Sequence, residues 1–163
     1  MTAVIEERVS RSYRTCARMQ RRRDPTYYWA VRCLPAERRP PIHALYGFVR
    51  GADDIADDTT LNGRRRAALD AWQAELQEGL ARGRSYHPVI AALVDAGPRH
   101  GMPLHLLSDY MDSMRADCDE PVRMRSQDQL DRYMAGKATV GPLVAPLLDA
   151  PREASAPLAR LGV

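Results

Sequence analysis

His43-Ala44-Leu45-Tyr46-Gly47-Phe48-Val49-Arg50-Gly51-Ala52-Asp53-Asp54-Ile55-Ala56-Asp57-Asp58 is the stretch that decides how this chain is read. On a helix, residues at i, i+4, i+7 and i+11 share a side. Tyr46, Arg50, Asp53 and Asp57 have that spacing, and Asp54 and Asp58 stand one position round. Aspartates packed this densely repel one another and are weak helix formers, so the pattern calls for a neutralising cation. Carboxylates suit Mg²⁺, which commonly bridges one or two protein carboxylates to phosphate oxygens. Arg50 adds a planar fork of donors for the same oxygens. The spacing fits a diphosphate–Mg²⁺ site, with Mn²⁺ as a substitute. It also fits an acidic helix end running into a solvated loop, although acid there opposes the macrodipole.

Outward from this segment the pattern is helical, with no convincing strand. Ile5, Val9, Tyr13, Cys16 and Gln20 predict a helix over about residues 3–22. Asp24-Pro25-Thr26 reads as a stop and a new cap, followed by a short helix from Tyr27 to Leu34 that ends at Pro35. Pro40-Pro41 suits the start of the aspartate helix. Asn62 is expected to cap a helix with a buried stripe of Arg65, Leu69, Trp72, Leu76 and Leu80, ended by Gly79 and Gly83. Pro88 to Ala96 is the next helix, stopped by Gly97-Pro98. Pro103 opens another with Leu104, Leu107, Met111 and Met114 inward. Ser126-x-x-Gln129 is a capping box ahead of Leu130, Tyr133 and Met134, and a last helix spans about Glu153 to Leu161. The expected class is all-α, in one domain.

Composition removes several function classes. A net charge of +3 is too small to argue for nucleic acid, and no helix-turn-helix or other binding motif can be placed. The arginine clusters 21–23, 38–39 and 64–66 read as solvated faces or phosphate contacts. Cys16, Cys33 and Cys118 are widely spaced, which argues against a disulfide frame or zinc site and for a reducing cytosol. No apolar run approaches the roughly 18–20 residues of a membrane span, so contact at a membrane surface is the most that is expected. No Glu-x-x-His pair occurs, which excludes a di-iron bundle of the usual pattern.

The run from Tyr27-Tyr28-Trp29-Ala30-Val31-Arg32-Cys33-Leu34-Pro35 to Asp58 closely resembles the opening of bacterial phytoene synthases, in the squalene/phytoene synthase family. Pro103 to Asp117 resembles the family's middle helix, and Leu130-Asp131-Arg132-Tyr133-Met134 the start of its tyrosine-containing signature. The resemblance implies an isoprenoid synthase fold around a central cavity, and carotenoid biosynthesis by head-to-head joining of two geranylgeranyl diphosphates to phytoene. It implies that Asp53, Asp54 and Asp57 hold Mg²⁺, and that Arg50 and Tyr46 bind the diphosphate. Thr26 and Tyr27 match the family's flap, and Tyr133 would line the cavity.

The family also carries a second aspartate-rich helix, Asn-x-x-Arg-Asp-x-x-x-Asp, which this sequence does not contain. The tyrosine-to-glycine spacing after Tyr133 is one residue short, a rotation of about 100° on a helix, and Lys137 stands where the family prefers a small or apolar side chain. The expectation is therefore an N-terminal, truncated part of the family domain: a truncated gene product or an incomplete sequence ahead of half of a split enzyme, with an oligomer or a complementing C-terminal chain as the partner a split would need. A non-catalytic member serving as a binding or assembly module is the alternative.

Overall fold

Asp24 shows how punctuation shapes this chain. Its carboxylate accepts the Tyr27 N–H at 2.9 Å and separates helix α1 (Thr2–Arg23) from α2 (Pro25–Val31), with Pro25 in the first turn. The computed structural model describes residues 2–118, 126–138 and 140–149; within them, the side chains of residues 2–5, 132, 133, 136 and 137 are not described. A 3₁₀ turn, Ala36–Arg38, leads into α3 (Arg39–Asp57), and another, Thr59–Leu61, into α4 (Arg65–Arg82). Then follow α5 (Pro88–His100), α6 (Leu107–Ala116) after the turn Leu104–Leu106, α7 (Gln127–Lys137) and α8 (Val140–Val144). No strand occurs among the described residues, as the all-α reading required.

The chain divides into two compact units, Met1–Gly51 with Ala74–Gly101, and Ala52–Gln73 with Met102–Val163; α3 and α4 contribute to both. The first unit packs α1 against α5 around Cys16, Leu45, Phe48, Ile90 and Leu93, each no more than 2% exposed. Small residues set the approach there. A Cβ on Gly47 would meet Val89 at 3.2 Å, and one on Gly79 would meet Ile90 at 3.0 Å and Val94 at 3.1 Å. Burial pushes the Cys16 thiol up to about 12, so it stays a neutral, packed side chain. In the second unit Leu69, Leu104, Leu107, Met111 and Met114 are buried. The inward positions expected after Pro103 are therefore the observed ones.

Several boundaries differ from the sequence reading. Asn62 does not cap α4; it takes the left-handed conformation (φ 40°) that closes the turn Thr59–Leu61. Gly79 is a packing site rather than a stop. Gly83 (φ 65°) ends the helix, with the Arg84 N–H on the Gly79 carbonyl at 3.0 Å and the Gly83 N–H on the Leu80 carbonyl at 3.3 Å, a Schellman closure. Leu80, expected in the buried stripe, is 38% exposed. Gly97-Pro98 does not stop α5, because Pro98 lies in its last turn, exposed, where it removes a single helical bond. The helix predicted at 153–161 lies outside the described residues. No helix among the described residues is long and apolar enough to cross a membrane.

Candidate functional site

Asp53 stands near the C-terminal end of α3 and is half-buried. Its Oδ1 accepts a hydrogen bond at 2.9 Å from the hydroxyl of Tyr110, which is 3% exposed on α6. This bond fixes one oxygen of the carboxylate. Arg65 anchors the backbone beside it, donating from Nη1 to the Ala56 carbonyl at 2.8 Å and from Nη2 to the Cys118 carbonyl at 3.2 Å. Both carbonyls lie at helix ends, where such groups lack intrahelical partners and attract a cation. Asp57, one turn on from Asp53, is exposed.

The other two aspartates part company from this pair. Asp54 is half-buried and turned about 100° round the helix from Asp53. Asp58 is committed to the turn after α3, accepting from the Thr60 hydroxyl at 2.6 Å and the Thr60 N–H at 2.8 Å. Those two bonds hold its carboxyl below the usual carboxylate range. It is a cap.

On the N-terminal side, Tyr46 and Arg50 continue the register of Asp53 and Asp57 along α3, both half-buried. The Tyr27 ring stacks on Tyr46, centroids 6.4 Å apart and planes at 27°. One position on, Tyr28 stacks on His43 at 5.6 Å. His43 Nδ1 faces the Gln20 side-chain carbonyl oxygen, which only an N–H can do favourably. Burial, with the Arg39 and Arg32 charges adding to it, lowers the His43 pKa to about 4, so the ring is neutral. Two consecutive aromatics thus pin α2 to α3. Thr26, in the first turn of α2, is exposed. Tyr133 stands on α7, and its side chain lies outside the described residues.

The structure therefore brings Tyr27 to Tyr46 and ties Asp53 to Tyr110. Sequence reading missed Tyr110; the available signal was a tyrosine inside the inward stripe of Leu107, Met111 and Met114, since a buried phenol needs a hydrogen-bond partner. It also missed the Gln20–His43–Tyr28 cluster. Among the described residues no three His, Cys, Asp or Glu side chains gather closely enough to hold a metal by themselves. Hard carboxylate oxygens at Asp53 and Asp57 nonetheless fit Mg²⁺, which keeps waters and takes the rest of its octahedron from substrate phosphates.

Comparison with known proteins identifies the family and the fold. The sequence model of the squalene/phytoene synthase family matches residues 20–163. The bifunctional protein CrtB/UppS of Streptomyces coelicolor is 35% identical over 140 residues, covering 85% of this chain and 24% of that protein. Phytoene synthase of Mycobacterium tuberculosis is 29% identical over 136 residues, 83% of this chain and 44% of the relative. Among solved structures, a dehydrosqualene synthase in complex with ligand superposes with a TM-score of 0.84 over 97% of this chain and 55% of that one, at 22% identity. Squalene synthase HpnC from Alicyclobacillus acidocaldarius gives 0.81 over 93% and 57%, at 24% identity. These two likenesses show the isoprenoid synthase fold. The chain spans less than half the length of the two sequence relatives and little more than half of the two solved chains.

Proposed function

The chain belongs to the squalene/phytoene synthase family, and from that premise we propose that it takes part in head-to-head prenyl transfer, condensing two geranylgeranyl diphosphates to phytoene. The observation that carries the proposal is the Asp53 carboxylate, held by the buried Tyr110 hydroxyl through one oxygen and keeping Oδ2 outside that bond. Asp53 and Asp57 would hold Mg²⁺, or Mn²⁺, with Asp54 turned from them toward a neighbouring position. When bound, the metal neutralises charge on the departing diphosphate. Arg50 would donate to phosphate oxygens, where a charge-assisted fork strengthens as leaving-group charge grows. The Tyr46 hydroxyl would add a donor, its ring set by Tyr27. Thr26 would stand at the rim and Tyr133 in the cavity wall. The expected partners are the prenyl diphosphate and a complementing chain or second copy that supplies further carboxylates.

The test is diphosphate release from geranylgeranyl diphosphate with and without Mg²⁺. We expect metal-dependent release that falls about 100-fold or more in Asp53→Asn, the scale of losing one group that stabilises transition-state charge. A wild-type chain that binds the substrate with Mg²⁺ but never releases diphosphate, alone or with a complementing chain, would overturn catalysis and leave a binding module.

A further inference from the structure

Arginines also gather on a concave surface within the first unit. There α1, the segment after α4 and the first turns of α5 enclose an open groove of about 400 Å³. That volume is within the range of small-molecule sites. Arg8 and Arg11 of α1 and Arg84 line it. The Arg8 guanidinium lies 5.1 Å from the ring centroid of Tyr86, which is 81% exposed. A cation held over a ring in this way builds a flat, positively charged wall.

The charge balance favours a guest anion. Asp95 is the one carboxylate in the described lining, and it already accepts from the Tyr13 hydroxyl at 2.8 Å and from Arg99 at 2.9 Å. Glu7 reaches Arg11 at 3.4 Å with both side chains 69% exposed, an arrangement that contributes little. Among the described residues, neither Arg8 nor Arg84 has an ion-pair partner. With Asp95 taken up by Tyr13 and Arg99, positive charge predominates in the groove, and a concave surface with an excess of one sign concentrates counter-ions. Val9, Pro88 and Ala91 supply apolar surface beside it.

We propose that this groove binds a soluble organic phosphate with a planar or apolar body. Arg8, Arg11 and Arg84 take the phosphate oxygens, while Tyr86 and the apolar side take the body. A concave pocket suits a small solute better than a flat bilayer.

Calorimetry on the full chain in EDTA, with inorganic pyrophosphate and with AMP as probes, tests the idea. Excluding divalent metal separates this groove from the metal-dependent α3 site. Both probes are expected to bind, and Arg8→Gln or Arg84→Gln weakens both at least tenfold. Tyr86→Ala weakens AMP severalfold more than pyrophosphate, and Asp53→Asn binds like the wild type. Both arginines are exposed, so unchanged circular dichroism is expected in their variants. The proposal is overturned if neither probe binds at millimolar concentration, or if affinity ignores the arginine changes. It is also overturned if these arginines govern sedimentation with phosphatidylglycerol vesicles while AMP does not bind.

Discussion

The two halves of α3 are held by different physics. In the first half, Ile42, Ala44, Leu45 and Phe48 are at most 4% exposed, and Gly47 lets Val89 and Cys16 approach closely. In the second half the buried apolar side chains are only the small Ala52 and Ala56, Asp53, Asp54 and Ile55 are half-buried, and the polar anchors are a phenol and a guanidinium. Apolar burial is large and has no direction. Hydrogen bonds to charged groups are smaller and directional. One half fixes the helix in place, and the other aims its carboxylates.

The sharpest way to break the contrast is Phe48→Ala. Deleting a fully buried phenyl should cost about 3–5 kcal/mol by urea unfolding; a loss below about 1 kcal/mol would mean the first half is not the anchor. His43 gives the next effect. Its pKa is about 4 in the folded chain against an ordinary 6.5. The unfolded chain takes up the proton first as pH falls, so stability present above pH 6.5 is lost progressively down to about pH 4. The window corresponds to roughly 3 kcal/mol, read as the difference between the wild type and His43→Phe, which keeps a ring on Tyr28 but cannot charge. Parallel stability–pH curves for the two would show that the buried imidazole does not govern this range.

The same contrast explains what the sequence could reveal. Apolar periodicity is local, so α1, α6 and the buried half of α3 follow from residues a few positions apart. Leu69 and Leu76 were placed inward for the same reason, and both are buried. The polar anchors join residues far apart in the chain: Tyr110 to Asp53, Arg65 to Cys118, His43 to Gln20. No spacing rule encodes such pairs. Glycine and proline misled where tertiary packing overrode local preference, as Gly79 under Ile90 and Pro98 inside α5 show. Asp58 shared the spacing of the other aspartates, yet Thr60, two residues on, claimed it as a cap.

Arg65 tests whether the second half depends on polar anchors. Arg65→Ala removes two charge-assisted bonds to helix-end carbonyls, and a loss of about 2 kcal/mol is expected. Arg65→Lys should recover only part of it, because a single ammonium lacks the fork that reaches both carbonyls. Full recovery in the lysine variant, by thermal or urea unfolding, would reduce the contact to simple charge.

The smallest effect on stability separates aiming from holding. Tyr110→Phe keeps the buried ring and deletes one hydroxyl, so about 1–2 kcal/mol should be lost. The hydroxyl and the Asp53 carboxylate act as a pair, so a double-mutant cycle with Asp53→Asn should show coupling on the order of 1 kcal/mol. If the bond serves mainly to orient Asp53, its removal should raise the Mg²⁺ concentration needed for half-maximal diphosphate release severalfold while the fold survives. A variant with unchanged metal dependence but lowered stability would place Tyr110 among the packing residues. The C-terminal half of α3 would then resemble the N-terminal half, with its carboxylates aimed by helix register alone.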